Sequence, residues 1–372
     1  MGVTSLKKSL EGLLALADIR INGDRPWDIQ VHDNRFYRRV LTQGELGLGE
    51  AYMDGWWDCN RLDQFIYRVL KAQLQEKVSG RTAALLSLRA RLINLQRGLR
   101  AFRVGEFHYD IGNDLFERML DERMIYSCGY WKDAADLREA QENKLDLVCR
   151  KLGLEPGMKV LDVGCGWGGT ARFVSERYNV EVTGVTVSNE QAGLARKSCQ
   201  GFPVQIHFMD YSKIDGKFDR IFSVGMFEHV GAKNFGTYMK HMRRLLKEDG
   251  LFLLHTIGAN RTTRVVNAWT NRYIFPNSYV PSAREITTAM EGAFILEDWQ
   301  SFGADYDRTL MSWYRNFENA WPDLKERYSE RFFRTWRYFL LSSAGSFRAR
   351  YRQLWQVVLS PAGVQGVYHA AR

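Results

Sequence analysis

From about Gly153 the chain alternates short apolar runs with segments whose apolar residues recur every three to four positions. The first pattern suits strands buried on both faces and the second suits amphipathic helices. It predicts strands over Lys159–Val163, 181–187, 204–209, Phe218–Val224 and 251–257, with helices over Gly169–Tyr178, Asn189–Ser198 and 234–247. Strands alternating with helices imply an α/β domain built on a parallel, doubly wound sheet, in which ligands sit at the carboxyl ends of the strands. Residues 1–70 read differently, as short helical patterns broken by turn signals at Asn22-Gly23-Asp24-Arg25-Pro26 and at the glycines of GELGLGEAYMDGWW. They predict a small, mostly helical N-terminal domain.

Between these parts, residues 71–103 carry Lys71, Lys77, Arg81, Arg89, Arg91, Arg97, Arg100 and Arg103 against Glu76 alone. Leu85, Leu88, Leu92, Leu95 and Leu99 form an apolar stripe beside them, so the segment reads as a basic amphipathic linker. It suits docking on the main domain and a membrane surface equally. The expected division is 1–70, 71–103 and 104–372, the last being catalytic.

The first twenty residues form an amphipathic pattern interrupted by Lys7, Lys8, Glu11 and Asp18, unlike a signal peptide. No apolar run approaches the ~18 residues needed to cross a bilayer, so any membrane contact is expected to be peripheral. Five cysteines, Cys59, Cys128, Cys149, Cys165 and Cys199, show no CxxC pairing. That pattern argues for a reducing, cytoplasmic setting with neither a disulfide framework nor a metal site. A net charge of +9 favours anionic partners, nucleic acid or acidic lipid.

The sharpest local signal is Asp162-Val163-Gly164-Cys165-Gly166-Trp167-Gly168-Gly169, a strand running into GxGxxG and then a helix. The glycines allow a ligand to approach bare backbone. A dinucleotide site would want an acid at the end of the second strand, and Thr186-Val187-Ser188 has none. Asp162 before the first glycine resembles motif I of class I methyltransferases, which implies S-adenosyl-L-methionine as donor. Thr186 and Gln191 are placed to serve the ribose, although Ser188 and Gln191 also fit a helix capping box. Asp210 and Tyr211, after the third strand, stand where such enzymes hold adenine; the alternative for Asp210 is a turn.

Further segments carry a closer resemblance: His108-Tyr109-Asp110-Ile111-Gly112-Asn113-Asp114, Met124-Ile125-Tyr126-Ser127-Cys128-Gly129-Tyr130-Trp131, Ser223-Val224-Gly225-Met226-Phe227-Glu228-His229-Val230-Gly231 and Leu254-His255-Thr256-Ile257-Gly258. With Phe302-Gly303-Ala304-Asp305-Tyr306-Asp307 and the late Phe347-Arg348-Ala349-Arg350 and Leu354-Trp355-Gln356, they resemble the bacterial cyclopropane fatty acid synthases. The mycolic acid methyltransferases are related but lack the GLGEAYMDGWW region.

The resemblance implies a class I, Rossmann-like methyltransferase fold. The implied activity is transfer of a methylene from S-adenosyl-L-methionine to the cis double bond of an unsaturated phospholipid acyl chain. It also implies a homodimer, peripheral on the inner face of the cytoplasmic membrane, with no nucleic-acid partner. An alkene is a weak nucleophile, so methyl transfer leaves a carbocation, and a base must then take a proton for the ring to close.

In the family that base is bound bicarbonate, and the matching pocket residues are Cys128, Glu228, His255 and Tyr306 with the Ile257 backbone. Glu228 beside an anion either shares a proton with it or accepts from the bicarbonate hydroxyl, and the second is preferred. Tyr109 and Gly112 match a lid segment over the donor. Some synthases carry a cysteine before AGxFRAR where this chain has Ser343, so a covalent cysteine route is not expected there. The apolar and aromatic residues Trp269, Tyr273, Ile274, Phe275 and Tyr279 of the 260–284 insertion are expected to line an acyl channel, with Arg261, Arg264 and Arg272 near a phosphate head group.

Overall fold

The computed structural model describes residues 3–74, 112–263 and 266–372. The 71–103 linker beyond Leu74 and Tyr109 therefore lie outside the described residues. The chain divides into two compact units, the first formed by 1–93, 263–276 and 310–352 and the second by 94–262, 277–309 and 353–372. This differs from the expected division at 70 and 103, because both 263–276 and 310–352 join the N-terminal unit.

The first unit is helical, with one short antiparallel ladder between β1 (Gln30–Val31) and β2 (Trp57–Asp58). Of the glycines read as turn signals, Gly44, Gly47 and Gly49 lie instead within the helix Arg35–Met53, which kinks at Gly44, where φ is 57°, while Gly55 does turn, at φ 72°. A Cβ on Gly49 would overlap the indole of Trp269, so this glycine lets the two helices approach. The same unit seats Gly345 of the helix Glu330–Arg348 against the backbone of Asp63, where a Cβ would come within 2.5 Å of the Asp63 carbonyl oxygen.

Charges are settled within the unit. Buried Glu50 accepts from Arg39 Nη2 at 2.5 Å, Arg272 Nη1 at 3.1 Å and Tyr273 Oη at 2.8 Å. Of the residues expected to line a channel, Trp269 and Ile274 are core, and Trp269 packs edge-on against Tyr338. Arg272 is committed to Glu50.

The second unit carries a seven-stranded sheet in the order β5-β4-β3-β6-β7-β9-β8. Its strands are β3 (Lys159–Val163), β4 (Glu181–Thr186), β5 (Val204–Phe208), β6 (Phe218–Val224), β7 (Leu246–Ala259), β8 (Ile295–Ser301) and β9 (Arg352–Ser360). Pairs β3–β4, β3–β6, β4–β5 and β6–β7 are parallel, as expected of a doubly wound fold. The sheet is not parallel throughout, since β8 and β9 pair antiparallel at one edge.

The strands from Lys159 to Val224 and the helices Gly169–Tyr178 and Asn189–Ser198 fall within a residue of the periodicity reading. Strand β7 starts earlier, at Leu246. Val160, Leu161 and Val163 of β3 are completely buried, as suits a strand covered on both faces, and Asp162 between them is buried as well. The reversal of strand order beside β3 opens the crevice that holds the site.

Candidate functional site

A cavity lies at the carboxyl ends of β3, β4, β5 and β6, walled by Asp162–Gly166 and Val185–Ser188 together with Gln191, Asp210, Tyr211, Val224 and Met226. The segment Met124, Ile125, Tyr126 and Ser127 closes another side.

The turn after β3 is built for close approach. Gly164 and Cys165 both donate backbone N–H to Val185 O, at 3.0 and 2.9 Å, which ties the loop to β4. Gly164 has φ of 92°, and a Cβ there would come within 2.8 Å of Met226 Cγ. Trp167 of the loop donates Nε1–H to Asn113 Oδ1 at 2.8 Å. Thus the described end of the HYDIGND segment, with Gly112 at φ 64° ahead of the helix Asn113–Met119, is anchored to the glycine loop.

Asp162 is 2% exposed, and its Oδ2 has no hydrogen-bond partner. Burial pushes its carboxyl up to about 8, against the pull of Lys144. A buried, unpartnered carboxylate oxygen in the wall of a cavity suits a cationic or N–H-bearing ligand.

Thr186 and Gln191 are joined directly, Thr186 Oγ1 donating to Gln191 Oε1 at 2.8 Å. Only half of the expected capping box forms: Ser188 Oγ accepts from Gln191 N, but the Gln191 side chain is directed by Thr186 instead. Asp210 does make a turn, accepting from Ser212 N at 2.8 Å, while lining the cavity. Tyr211 lies edge-on to Tyr238, and its carbonyl oxygen lies 2.9 Å from His241 Nε2.

A second group of buried polar atoms stands beside this cavity. Glu228, in the short 3₁₀ turn Phe227–His229 after β6, accepts from Ile257 N at 2.7 Å through Oε1, and its Oε2 is buried with no partner. Burial raises its carboxyl to about 7, against the Ile257 N–H. The Ile257 N–H expected to face an anion is therefore occupied by Glu228 itself.

His255 on β7 is 1% exposed; burial holds it well below its ordinary value, so the ring is neutral. Its Nε2 has no partner. Cys128 directs its thiol to Gly129 O at 3.2 Å. Thr309 fastens this segment by accepting from Gly129 N at 3.1 Å and Trp131 Nε1 at 2.9 Å. Tyr306 is buried one helical turn before Thr309. Phe302 meets both sides, its ring lying edge-on to His255 at 5.7 Å and to Tyr130 at 5.4 Å. None of Cys128, Glu228, His255, Ile257 and Tyr306 lines the glycine-loop cavity, although Met226 and His229 next to Glu228 do.

Three contributors escaped the sequence reading. Ser127 lines the cavity and receives Lys144 Nζ at 2.9 Å. Gln141 Nε2 donates to Ser127 O at 2.8 Å, so one helix, Leu137–Leu152, braces the 124–127 wall from behind. Lysine and glutamine at consecutive turns on an inward helix face were the available signal.

Residues 96–357 match the family described as mycolic acid cyclopropane synthetase. The cyclopropane-fatty-acyl-phospholipid synthase of Escherichia coli strain K12 is 53% identical over 361 residues, covering 97% of this chain and 94% of that protein. The solved structure of the cyclopropane synthase MmaA2 from Mycobacterium tuberculosis aligns with TM-score 0.66 at 31% identity, covering 69% of this chain and 97% of that one. The mycolic acid cyclopropane synthase CmaA1, solved in complex with SAH and CTAB, aligns with the same score, identity and coverage. With a class I, Rossmann-like methyltransferase sheet and these likenesses over most of its length, the chain belongs to the cyclopropane synthase family.

Proposed function

We propose that this chain, an S-adenosyl-L-methionine-dependent methyltransferase, adds a methylene bridge across a cis double bond of an unsaturated phospholipid acyl chain and passes the surplus proton to a bound bicarbonate. The observation that carries the reading is the juxtaposition of two kinds of buried, unpartnered polar atoms. Asp162, with Oδ2 unpartnered, is in the wall of the glycine-loop cavity, and Glu228, with Oε2 unpartnered, holds the N–H of Ile257, two residues along β7 from His255 and its unpartnered Nε2. A cationic donor and a small oxyanion are the ligands that would satisfy them.

S-adenosyl-L-methionine supplies an electrophilic methyl on a positive sulfur, and bicarbonate supplies a base. The chain's own residues do the rest. Gly164 and Gly166 leave the loop backbone bare for the donor, and Asp162 offers a carboxylate oxygen to its positive end. Gln191, held by Thr186, and Asp210 with Tyr211 are assigned to the ribose and adenine. Tyr109 and Gly112 are assigned to a covering segment.

At the reacting centre, Glu228 orients the base by accepting from its hydroxyl. A carboxyl poised near neutrality can hold or release that proton at little cost. The Ile257 N–H acts through Glu228, by fixing one of its oxygens. His255, Tyr306 and Cys128 complete the pocket, and the apolar walls exclude water from the cation.

The first unit, with the linker that follows it, is assigned to the lipid surface, as a homodimer peripheral on the cytoplasmic face of the membrane. Exposed Val3 and Leu16 flank the lysines of its first helix, and no described helix is long and apolar enough to cross a membrane.

Incubation with S-adenosyl-L-methionine and vesicles of monounsaturated phospholipid, with and without bicarbonate, tests the whole reading. Cyclopropyl protons in the extracted lipid, formed at a rate that rises with bicarbonate, are expected. A methyl-branched product, or full turnover in carbonate-free buffer, would refute the ring closure or the base respectively.

A further inference from the structure

Gln356 lies on β9, completely buried, and takes no part in the site as assigned so far. Its Nε2 is 3.3 Å from His255 Nδ1, and its Oε1 is buried with no partner. A carboxamide can meet a neutral imidazole nitrogen in two ways. If the NH2 faces Nδ1, the amide donates, Nδ1 is a lone pair, and the ring proton resides on Nε2. If the carbonyl faces Nδ1, the ring donates and Nε2 becomes the lone pair.

The first arrangement leaves a buried carbonyl oxygen without a partner, whereas the second would leave a buried NH2 in its place. Orphaned N–H groups are the rarer and costlier case, which selects the first. A neutral imidazole donates through one nitrogen only, so the amide decides which side of His255 offers a proton.

We propose that Gln356 is a positioning residue of the reaction: its amide N–H, given to His255 Nδ1, keeps the imidazole proton on Nε2, where it serves as a hydrogen-bond donor to the small oxyanion that acts as base. This rests on the reading of a carbonate-type anion beside Glu228 and His255. The opposite tautomer would turn a lone pair toward an anion and repel it. Phe302 lies edge-on to the imidazole at 5.7 Å, and the amide meets the ring at its Nδ1 side.

The test joins a spectroscopic readout to a kinetic one. In the full-length protein labelled with 15N-histidine, the His255 signals, identified by their loss in His255→Gln, are expected to show a protonated Nε2 and an unprotonated Nδ1. Gln356→Met, which keeps the length and apolar bulk but cannot donate, is expected to mix the two tautomers and slow turnover about 10- to 100-fold. Its affinity for S-adenosyl-L-methionine is expected to stay within about threefold, which separates positioning from misfolding.

A wild-type His255 protonated on Nδ1 overturns the proposal. So does a Gln356→Met protein that keeps the wild-type turnover. Should that variant fail to fold, the wild-type spectrum alone still decides the tautomer. Wild-type turnover indifferent to bicarbonate, together with an Nε2-protonated His255, overturns the anion as recipient and leaves the tautomer assignment standing.

Discussion

Lys144 Nζ donates to Ser127 Oγ at 2.9 Å, with the lysine wholly buried and Ser127 in the wall of the glycine-loop cavity. Burial lowers this ammonium to about 8, while Asp121, Cys128 and Asp162 pull it upward. Lys144 is in turn the attractive charge set against the burial of Asp162. The two groups are thus electrostatically linked, with Asp121 acting more strongly than Asp162 on Lys144.

Lys144→Met is expected to destabilise the fold by about 1–3 kcal/mol, because it leaves the buried Ser127 hydroxyl without its partner and removes the positive charge that acts on Asp162. Adding Asp162→Asn should recover part of this, with a coupling of roughly 1–3 kcal/mol between the two sites. Denaturant unfolding of the two single variants and the double variant measures it, and strictly additive effects would show that the pair does not interact.

Glu228→Gln gives a pH signature. The Glu228 carboxyl stands at about 7 in the fold against 4.5 unfolded, so the folded state binds more protons between these values. Its contribution to stability is therefore present below about 4.5 and is lost as pH rises through about 7. The neutral isostere should become more stable relative to wild type across that window, by on the order of 3 kcal/mol at most. Buried His229, lowered by burial to about 4, acts in the opposite sense in the wild type, losing stability as pH falls from 6.5. It is common to both proteins and cancels in the difference. A stability difference that stays flat from pH 5 to 8 would contradict a buried, titrating Glu228.

Gly164→Ala should cost about 1–3 kcal/mol in stability, since φ of 92° is unfavourable for any residue with a Cβ. The added methyl would press on Met226, which shares the cavity wall. Calorimetry is expected to show donor affinity reduced at least tenfold. Unchanged affinity would separate this loop from the donor.

The thiols should be silent in the native state. All five cysteines are buried, and burial pushes Cys59 up to about 12 and Cys128, Cys149 and Cys165 well above the usual thiol range. Thiolate is the reacting form, so iodoacetamide should modify the folded enzyme slowly and all five positions once it is unfolded. Fast loss of activity through one native thiol would point to an exposed, activated cysteine.

Much of the second unit was legible because its determinants are local. Mainly apolar stretches such as Val160–Val163 are buried on both faces, and GCGWGG puts its glycines where the backbone turns. The antiparallel edge was not legible. Strand β8 reads Ile-Leu-Glu-Asp-Trp-Gln-Ser, with charges in its middle, and its partner β9 begins some fifty residues later. The charge at Asp298 is tolerated in the sheet because Lys151 and Arg372 meet it, at 2.9 and 2.6 Å.

The sequence by itself determined the class of fold, the glycine loop and the residue types of the site, since periodicity, turn chemistry and short motifs depend on neighbours along the chain. Only the tertiary structure decided that 263–276 and 310–352 join the first unit, that Thr186 rather than a cap directs Gln191, that Glu228 occupies the Ile257 N–H, and that Gln356 meets His255. Burial, and the partners a buried polar atom finds, are properties of chain segments brought together from far apart, and no local pattern of residues encodes them.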